Sequence, residues 1–131
     1  MTLESNPKAL IVDDDPKLGK LTATVISPLF SPLVATSGPE GLELFLEHRP
    51  RLVLLDRDMP EMTGEVVAER IRGITNNPED PYILMISGRA AALNIEDLRK
   101  RGVNELISKP WRVTELLDKL VQINQRFQPP A

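Results

Sequence analysis

The segment LVLLDRDMP, residues 52–60, joins an uninterrupted apolar run to two acidic residues. The run 52–55 shows no alternation of apolar and polar positions. This is typical of a strand covered on both faces, and therefore of a parallel sheet. Asp56 directly follows the run, and Asp58 lies two residues further on. The segment predicts a buried parallel strand that ends in a carboxylate.

Four more short apolar runs lie on either side of this segment, at residues 9–12, 33–35, 82–86 and 106–107. The stretches between and after the runs carry apolar residues at helical spacing. These residues are Leu18, Leu21, Val25 and Leu29, then Leu42, Phe45 and Leu46, then Val67 and Ile71, and finally Leu116, Leu117, Leu120 and Phe127. Strands that alternate with helices predict a single α/β domain, with a five-stranded parallel sheet and helices on both of its faces.

Local signals mark three helix ends. Asp15 followed by Pro16 is typical of an N-cap with proline at the first helical position. Ser37 and Glu40 have the spacing of a capping box. Gly102 is placed to close the helix before the fifth strand. These signals predict helices after the first and second strands and before the fifth.

The composition excludes several classes of protein. The 131 residues include no cysteine and one histidine, His48, which excludes disulfide scaffolds, thiolate zinc sites, cysteine nucleophiles and sites built on several histidines. A net charge of −3, with one Trp, one Tyr and three Phe residues, argues against direct nucleic-acid binding. No apolar run approaches the roughly 18 residues of a membrane span, and the amino terminus lacks the apolar core of a secretory signal. We therefore expect a cytoplasmic, single-domain protein that does not contact membranes.

Polar residues that together form a chemically coherent set follow four of the five apolar runs. They are Asp13, Asp14 and Asp15 after the first run, Asp56 and Asp58 after the third, Ser87 after the fourth and Lys109 just after the fifth. Right-handed crossovers bring the carboxyl ends of parallel strands to one edge of the sheet, where ligands of such sheets bind. Two carboxylates about 5 Å apart repel each other by about 3 kcal/mol at an effective dielectric constant near 20. We therefore expect a compensating cation at this edge.

A site made only of oxygen ligands suits a hard divalent ion, Mg²⁺ or Mn²⁺. Such an ion beside a carboxylate, a hydroxyl and an ammonium group is typical of phosphoryl transfer. Each residue also has a simpler interpretation. Asp15 is most simply a helix cap, Asp13 and Asp14 could be acids at a helix start, and Ser87 and Lys109 could merely end their strands. The joint placement of Asp13, Asp14, Ser87 and Lys109 at one edge favours a functional site.

The chain resembles the response-regulator receiver domains of two-component signalling from Ala9 to about Phe127. The resemblance is carried by IVDD (11–14), LLDRDMP (54–60) with Gly64 after it, MISG (85–88) and Lys109-Pro110. It implies the flavodoxin-like doubly wound fold with strand order 2-1-3-4-5. It also divides the chain into an N-terminal extension (1–8), a receiver domain (9–127) and a tail or start of a linker (128–131).

The resemblance implies a role for each residue of the site. Asp56 would accept a phosphoryl group from a sensor histidine kinase, a phosphotransfer protein or a small phosphodonor. Ser87 would donate a hydrogen bond to one phosphoryl oxygen, and Lys109 would pair with another. The peptide bond between Lys109 and Pro110 would be cis.

The resemblance also implies a set of metal ligands. Asp14 would bind Mg²⁺ or Mn²⁺ directly, Asp13 mainly through water, Asp56 through its carboxylate and Asp58 through its backbone carbonyl.

Three features depart from the common pattern of the family. Leu106 stands where many receivers carry an aromatic residue. Arg57 and Asp58 replace the more usual apolar or neutral residues after the acceptor, and Arg89 lies two residues beyond Ser87. Two interpretations of this pair stay open: Asp58 and Arg89 form an ion pair across the opening of the site, or both side chains are simply solvated.

The predicted function is a phosphorylation-controlled signalling switch, with no enzymatic activity beyond its own phosphoryl transfer and dephosphorylation. One alternative is a pseudo-receiver that binds partners without phosphorylation. A weaker one is a phosphatase of the haloacid-dehalogenase type, which the Asp56-x-Asp58 pattern resembles. The expected partners are a histidine kinase or phosphotransfer protein and an output domain or downstream protein. A homodimer through the face formed by the fourth helix, fifth strand and fifth helix is a further expectation.

Overall fold

The computed structural model describes residues 6–127. Residues 1–5 of the expected N-terminal extension and the expected tail 128–131 lie outside the described residues. The strands are β1 (Lys8–Val12), β2 (Ser31–Ala35), β3 (Leu52–Asp56), β4 (Tyr82–Ser87) and β5 (Glu105–Ser108). The helices are α1 (Pro16–Ile26), α2 (Gly38–His48), α3 (Gly64–Thr75), α4 (Ile95–Lys100) and α5 (Val113–Gln125), with a 3₁₀ turn (Ala90–Ala92) before α4.

The five strands form one parallel sheet in the order β2-β1-β3-β4-β5. This confirms the predicted fold and strand order. Every residue of the central strands β3 and β4 is buried, as their unbroken apolar runs predict. Both strands extend beyond their apolar runs, so that Asp56 is the last residue of β3 and Ser87 the last of β4. The polar residues are thus built into the carboxyl edge of the sheet.

Two apolar layers enclose the sheet, one on each face. The first layer lies under α2, α3 and α4 and includes Phe45, Ile71 and Leu98. The second lies under α1 and α5 and includes Ile26 and Leu120. The predicted arrangement of helices on both faces is therefore confirmed.

The predicted helix ends are confirmed. The Asp15 carboxylate accepts hydrogen bonds from the backbone N–H groups of Lys17 and Leu18, at 3.0 and 3.3 Å. Ser37 caps α2 through the N–H of Glu40 at 3.2 Å. The helix α4 ends at Lys100, and Gly102 follows with a φ of +101°, a left-handed conformation that glycine adopts without strain.

Two of the predicted helical patterns run past the ends of their helices. α1 ends at Ile26, because Pro28 lacks the N–H group that a continuing helix would need. Leu29 nevertheless packs against the core from the following turn, and Phe127 packs there from beyond α5. The Phe127 ring meets the edge of the Phe30 ring at a centroid distance of 6.3 Å. The apolar periodicity therefore identified core residues correctly but extended the helices too far.

Candidate functional site

Three carboxylates meet at the carboxyl edge of the sheet. Asp13 and Asp14 follow β1, and Asp56 ends the neighbouring strand β3. The register pairs Val12 with Leu55, so the next residues, Asp13 and Asp56, come side by side at the strand ends. One oxygen of each of the three carboxylates lies within 4.8 Å of the others. Parallel pairing thus creates the acidic group that the sequence predicted.

Burial and mutual repulsion oppose ionisation of this group. Burial raises the pKa of Asp13 above its ordinary value, and the nearby Asp56 and Asp14 carboxylates raise it further, although the Asp15 N–H and Lys109 work against this. Desolvation also raises the pKa of Asp14, and its hydrogen bond to Asp56 adds to the shift. A bound cation would relieve both effects. The donor set is all carboxylate oxygen, which suits a hard divalent ion.

Asp56 is 3% exposed, and two groups hold its Oδ1 atom. The Lys109 amine lies 3.3 Å from that oxygen, and the backbone N–H of Asp58 donates to it at 3.1 Å. Lys109 reaches the site from the loop after β5, and the peptide bond between Lys109 and Pro110 is cis, as the resemblance implied. The candidate acceptor, its lysine and the acidic group therefore form one cluster.

Ser87 is fully buried at the end of β4. Its hydroxyl accepts a hydrogen bond from the backbone N–H of Arg89 at 2.9 Å and donates one to Oδ2 of Asp58 at 3.3 Å. β3 and β4 are neighbours in the sheet, and Asp56 pairs with Ile86, the residue before Ser87. The structure therefore places all of the predicted site residues at this edge.

The first interpretation of Asp58 and Arg89, an ion pair, is wrong. Asp58 instead pairs with its neighbour Arg57, with 3.3 Å between Nη1 and Oδ1. Arg57 is held in turn by Glu65, whose Oε2 accepts from Nε at 3.0 Å. Because this anchored arginine and the Ser87 hydroxyl already occupy both carboxylate oxygens, Asp58 faces β4 and α3.

Glu65 is the part of the site that the sequence prediction missed. Its side chain is only 7% exposed, and its Oε1 atom is buried without a hydrogen-bond partner among the described residues. Glu65 follows Gly64 at the start of α3, where a Cβ on residue 64 would lie 2.8 Å from the backbone oxygen of Asp56. The glycine lets α3 approach the end of β3 closely. The one sequence signal for Glu65 was an acid in the first turn of a helix, which predicts only an exposed charge.

A cavity with a volume of about 690 Å³ lies elsewhere, at the amino ends of β4 and β5. Its arginines are already engaged: Arg101 pairs with Glu69, Arg126 with Glu79, and Arg99 with Glu96. Arg72 donates to three oxygens around it. The cavity is thus built from internal ion pairs and hydrogen bonds, whereas the carboxyl edge carries the chemically coherent group.

Comparison with known proteins agrees with this geometry. The chain matches the family model of the response regulator receiver domain over residues 9–121. It is 27% identical over 121 residues to hybrid signal transduction histidine kinase D of Dictyostelium discoideum. The aligned region covers 92% of this chain and 8% of that protein. It is also 27% identical over 127 residues to the transcriptional regulatory protein BaeR of Escherichia coli, covering 96% of this chain and 51% of that protein. The chain therefore spans about half of the length of one of these curated relatives and less than a tenth of the other.

Solved structures share the same fold. The receiver domain of a Francisella response regulator superposes with a TM-score of 0.82 at 24% sequence identity, covering 94% of this chain and all of that domain. Within residues 6–127, none of the helices combines the length and the apolar character needed to cross a membrane.

Proposed function

This chain belongs to the response regulator receiver domain family, and we propose that it is a signalling switch controlled by phosphorylation of Asp56. The observation that carries the proposal is the setting of this carboxylate. Asp56 is buried at the end of β3, 3.3 Å from the amine of Lys109, and it belongs to the one group of carboxylates among residues 6–127 that could hold a metal ion.

The side chains supply the parts of a phosphoryl-transfer reaction. A carboxylate oxygen of Asp56 attacks the phosphorus atom and forms an acyl phosphate. The bond from phosphorus to the donor's histidine nitrogen or acyl oxygen breaks, and that atom keeps the electron pair. Lys109 neutralises charge on the transferred group, and the Ser87 hydroxyl donates a hydrogen bond to it.

The acidic group fits Mg²⁺ or Mn²⁺, since it offers only oxygen ligands and its carboxylates repel each other without a cation. Asp13, Asp14 and Asp56 would hold the ion, together with the backbone carbonyl of Asp58. When bound, the ion supplies positive charge that offsets the phosphoryl oxygens.

We propose that the protein catalyses no steady turnover of external substrates beyond its own phosphorylation and dephosphorylation. Its phosphodonor would be a sensor histidine kinase or a phosphotransfer protein, and its target an output domain or a separate downstream protein. The names of the relatives support both roles, since one is a hybrid histidine kinase and another a transcriptional regulatory protein. The homodimer and the cytoplasmic location stay predictions.

Intact mass tests the proposal. Wild-type protein incubated with Mg²⁺ and acetyl phosphate should gain the mass of one phosphoryl group, and Asp56→Asn should gain none. Asp118→Asn, the same change at an exposed position on α5, is the matched control and should be labelled like wild type. An unmodified wild type would favour the pseudo-receiver alternative. Steady hydrolysis of a phosphomonoester would favour the phosphatase.

A further inference from the structure

The Ser87 hydroxyl has no spare proton in this structure. A serine hydroxyl carries a single donor hydrogen. Here that hydrogen is directed to Oδ2 of Asp58, 3.3 Å from Oγ, while the backbone N–H of Arg89 donates to the hydroxyl at 2.9 Å. A phosphoryl oxygen on Asp56 would need the same hydrogen. The Asp58 carboxylate and the phosphoryl group are therefore alternative acceptors of one proton.

We infer that Asp58 is a positioning residue that holds the Ser87 hydroxyl away from the phosphoryl position and so opposes phosphorylation of Asp56. This inference rests on the function proposed above. Two effects act in the same direction. Asp58 accepts the hydrogen bond of the Ser87 hydroxyl, which the phosphoryl group would need. Its negative charge also lies beside the position that the anionic phosphoryl group would enter.

The neighbouring side chains keep Asp58 in this position. Its carboxylate is 41% exposed, so an isolated aspartate here would be free to turn towards solvent. Arg57 prevents this, since Nη1 binds Oδ1 of Asp58 at 3.3 Å while Nε binds Oε2 of Glu65 at 3.0 Å. Glu65 is almost fully buried on α3, which gives the arginine a fixed anchor. Asp58 is therefore held on both oxygens, by Arg57 on one side and Ser87 on the other.

An asparagine at residue 58 would release the hydroxyl without changing the shape of the side chain. Asparagine has one acceptor oxygen and one donor NH₂ group. Arg57 can only donate, so the amide oxygen faces Arg57 and the NH₂ group faces Ser87. The Ser87 oxygen then accepts from the amide, and its proton becomes available to a phosphoryl oxygen. The substitution also removes the opposing charge.

Titration with beryllium fluoride in Mg²⁺ buffer, followed by calorimetry, measures this competition. The BeF₃⁻ group binds a carboxylate as a non-transferable analogue of the phosphoryl group. Asp58→Asn should bind it about tenfold more tightly than wild type, which corresponds to about 1.4 kcal/mol. Glu61→Gln is the matched control, because it removes the same charge from the same loop, and the Glu61 side chain makes no hydrogen bond or ion pair with the described residues. Its affinity should stay within about twofold of wild type, as expected for a screened surface charge.

A double-mutant cycle separates the proton from the charge. If Asp58 acts partly through Ser87, the gain from Asp58→Asn should shrink when Ser87 is replaced by alanine, and only the part that comes from removing the charge should remain. Equal affinities of wild type and Asp58→Asn would overturn the inference, and so would a gain of undiminished size in the Ser87→Ala protein. The proposed function fails separately, if wild-type protein gains no phosphoryl mass from acetyl phosphate.

Discussion

Replacing Asp56 by asparagine should stabilise the protein in metal-free buffer, and on the proposed function it should also abolish phosphoryl acceptance. Asp56 shares its site with Asp13 and Asp14, and one oxygen of each of the three lies within 4.8 Å of the others. The amide has nearly the same shape as the carboxylate and can still accept hydrogen bonds from Lys109 and from the N–H of Asp58. The substitution therefore removes charge without removing packing.

The distances give the size of the effect. At an effective dielectric constant near 20, each of the two repulsions at 4.8 Å costs about 3.5 kcal/mol, and the Lys109 attraction at 3.3 Å contributes about 5 kcal/mol. The repulsions exceed the attraction by about 2 kcal/mol on this scale. Solvent around the exposed Asp14 weakens its share, so we expect a gain of about 1–2 kcal/mol in the free energy of unfolding.

Urea unfolding at pH 7 with EDTA, and again with saturating Mg²⁺, measures this gain. Mg²⁺ should narrow or reverse the difference in the free energy of unfolding between Asp56→Asn and wild type, because it binds wild type more tightly and so stabilises it more. Lowering the pH should also narrow this difference in the free energy of unfolding. Folding raises the pKa of Asp13 and Asp14, so their cost to stability is complete above the raised pKa and disappears as the pH falls towards the ordinary value of 3.8.

Two results would refute this reasoning. Equal stabilities of wild type and Asp56→Asn in EDTA would mean that the acidic group does not strain the metal-free protein. A gain of the same size with and without Mg²⁺ would mean that it comes from something other than the carboxylate repulsion.

Three further predictions concern other residues. Asp14→Asn should weaken Mg²⁺ binding at least about tenfold in titration calorimetry, and an unchanged affinity would remove Asp14 from the ligand set. Burial acts to raise the pKa of Glu105, but hydrogen bonds from Tyr82 and Lys119 outweigh it and hold the pKa below its ordinary value. Glu105→Gln should therefore cost about 1 kcal/mol of stability at pH 7 and less as the pH falls below the ordinary value of 4.5, where the carboxylate of the unfolded chain takes up its proton, and a loss independent of pH would contradict this. Asn104→Ala should cost about 2–3 kcal/mol in urea unfolding, because it leaves the buried N–H of Ile83 without its 2.7 Å acceptor, and a loss below about 1 kcal/mol would mean that water replaces the side chain.

The fold was predictable because its signals are local and mutually consistent. An apolar run such as 52–55, which has no alternation, implies a doubly covered strand, and residues such as Asp15 and Gly102 mark where helices begin and end. The exact ends of α1 and α5 were less predictable. Leu29 and Phe127 continue the apolar periodicity after the backbone has left the helix, because core packing does not require helical geometry.

The site was predictable to the level of backbone position and no further. Parallel topology brings Asp56 and Ser87 to one edge wherever their side chains point. The direction of Asp58 depends on Arg57, and Arg57 depends on the buried Glu65 in the next helix. A pair of exposed residues such as Asp58 and Arg89 is equally compatible with the sequence, so only the packing of α3 against the end of β3 decides between the two partners.

The Lys109 amine and the Ser87 hydroxyl, which would bind the phosphoryl oxygens, each already contact a carboxylate of the protein itself. Lys109 is paired with Asp56, and the Ser87 hydroxyl donates to Asp58. Phosphorylation would therefore replace the carboxylate acceptors of Lys109 and Ser87 by phosphoryl oxygens, and the number of contacts these two groups make would not rise. A reversible switch requires two states that lie close in free energy, since a state many kcal/mol below the other cannot be displaced by a single ligand, and an exchange of one acceptor for another is compatible with this requirement. The resting contacts of Asp58 thus set how much of the phosphoryl group's binding energy remains to drive the change.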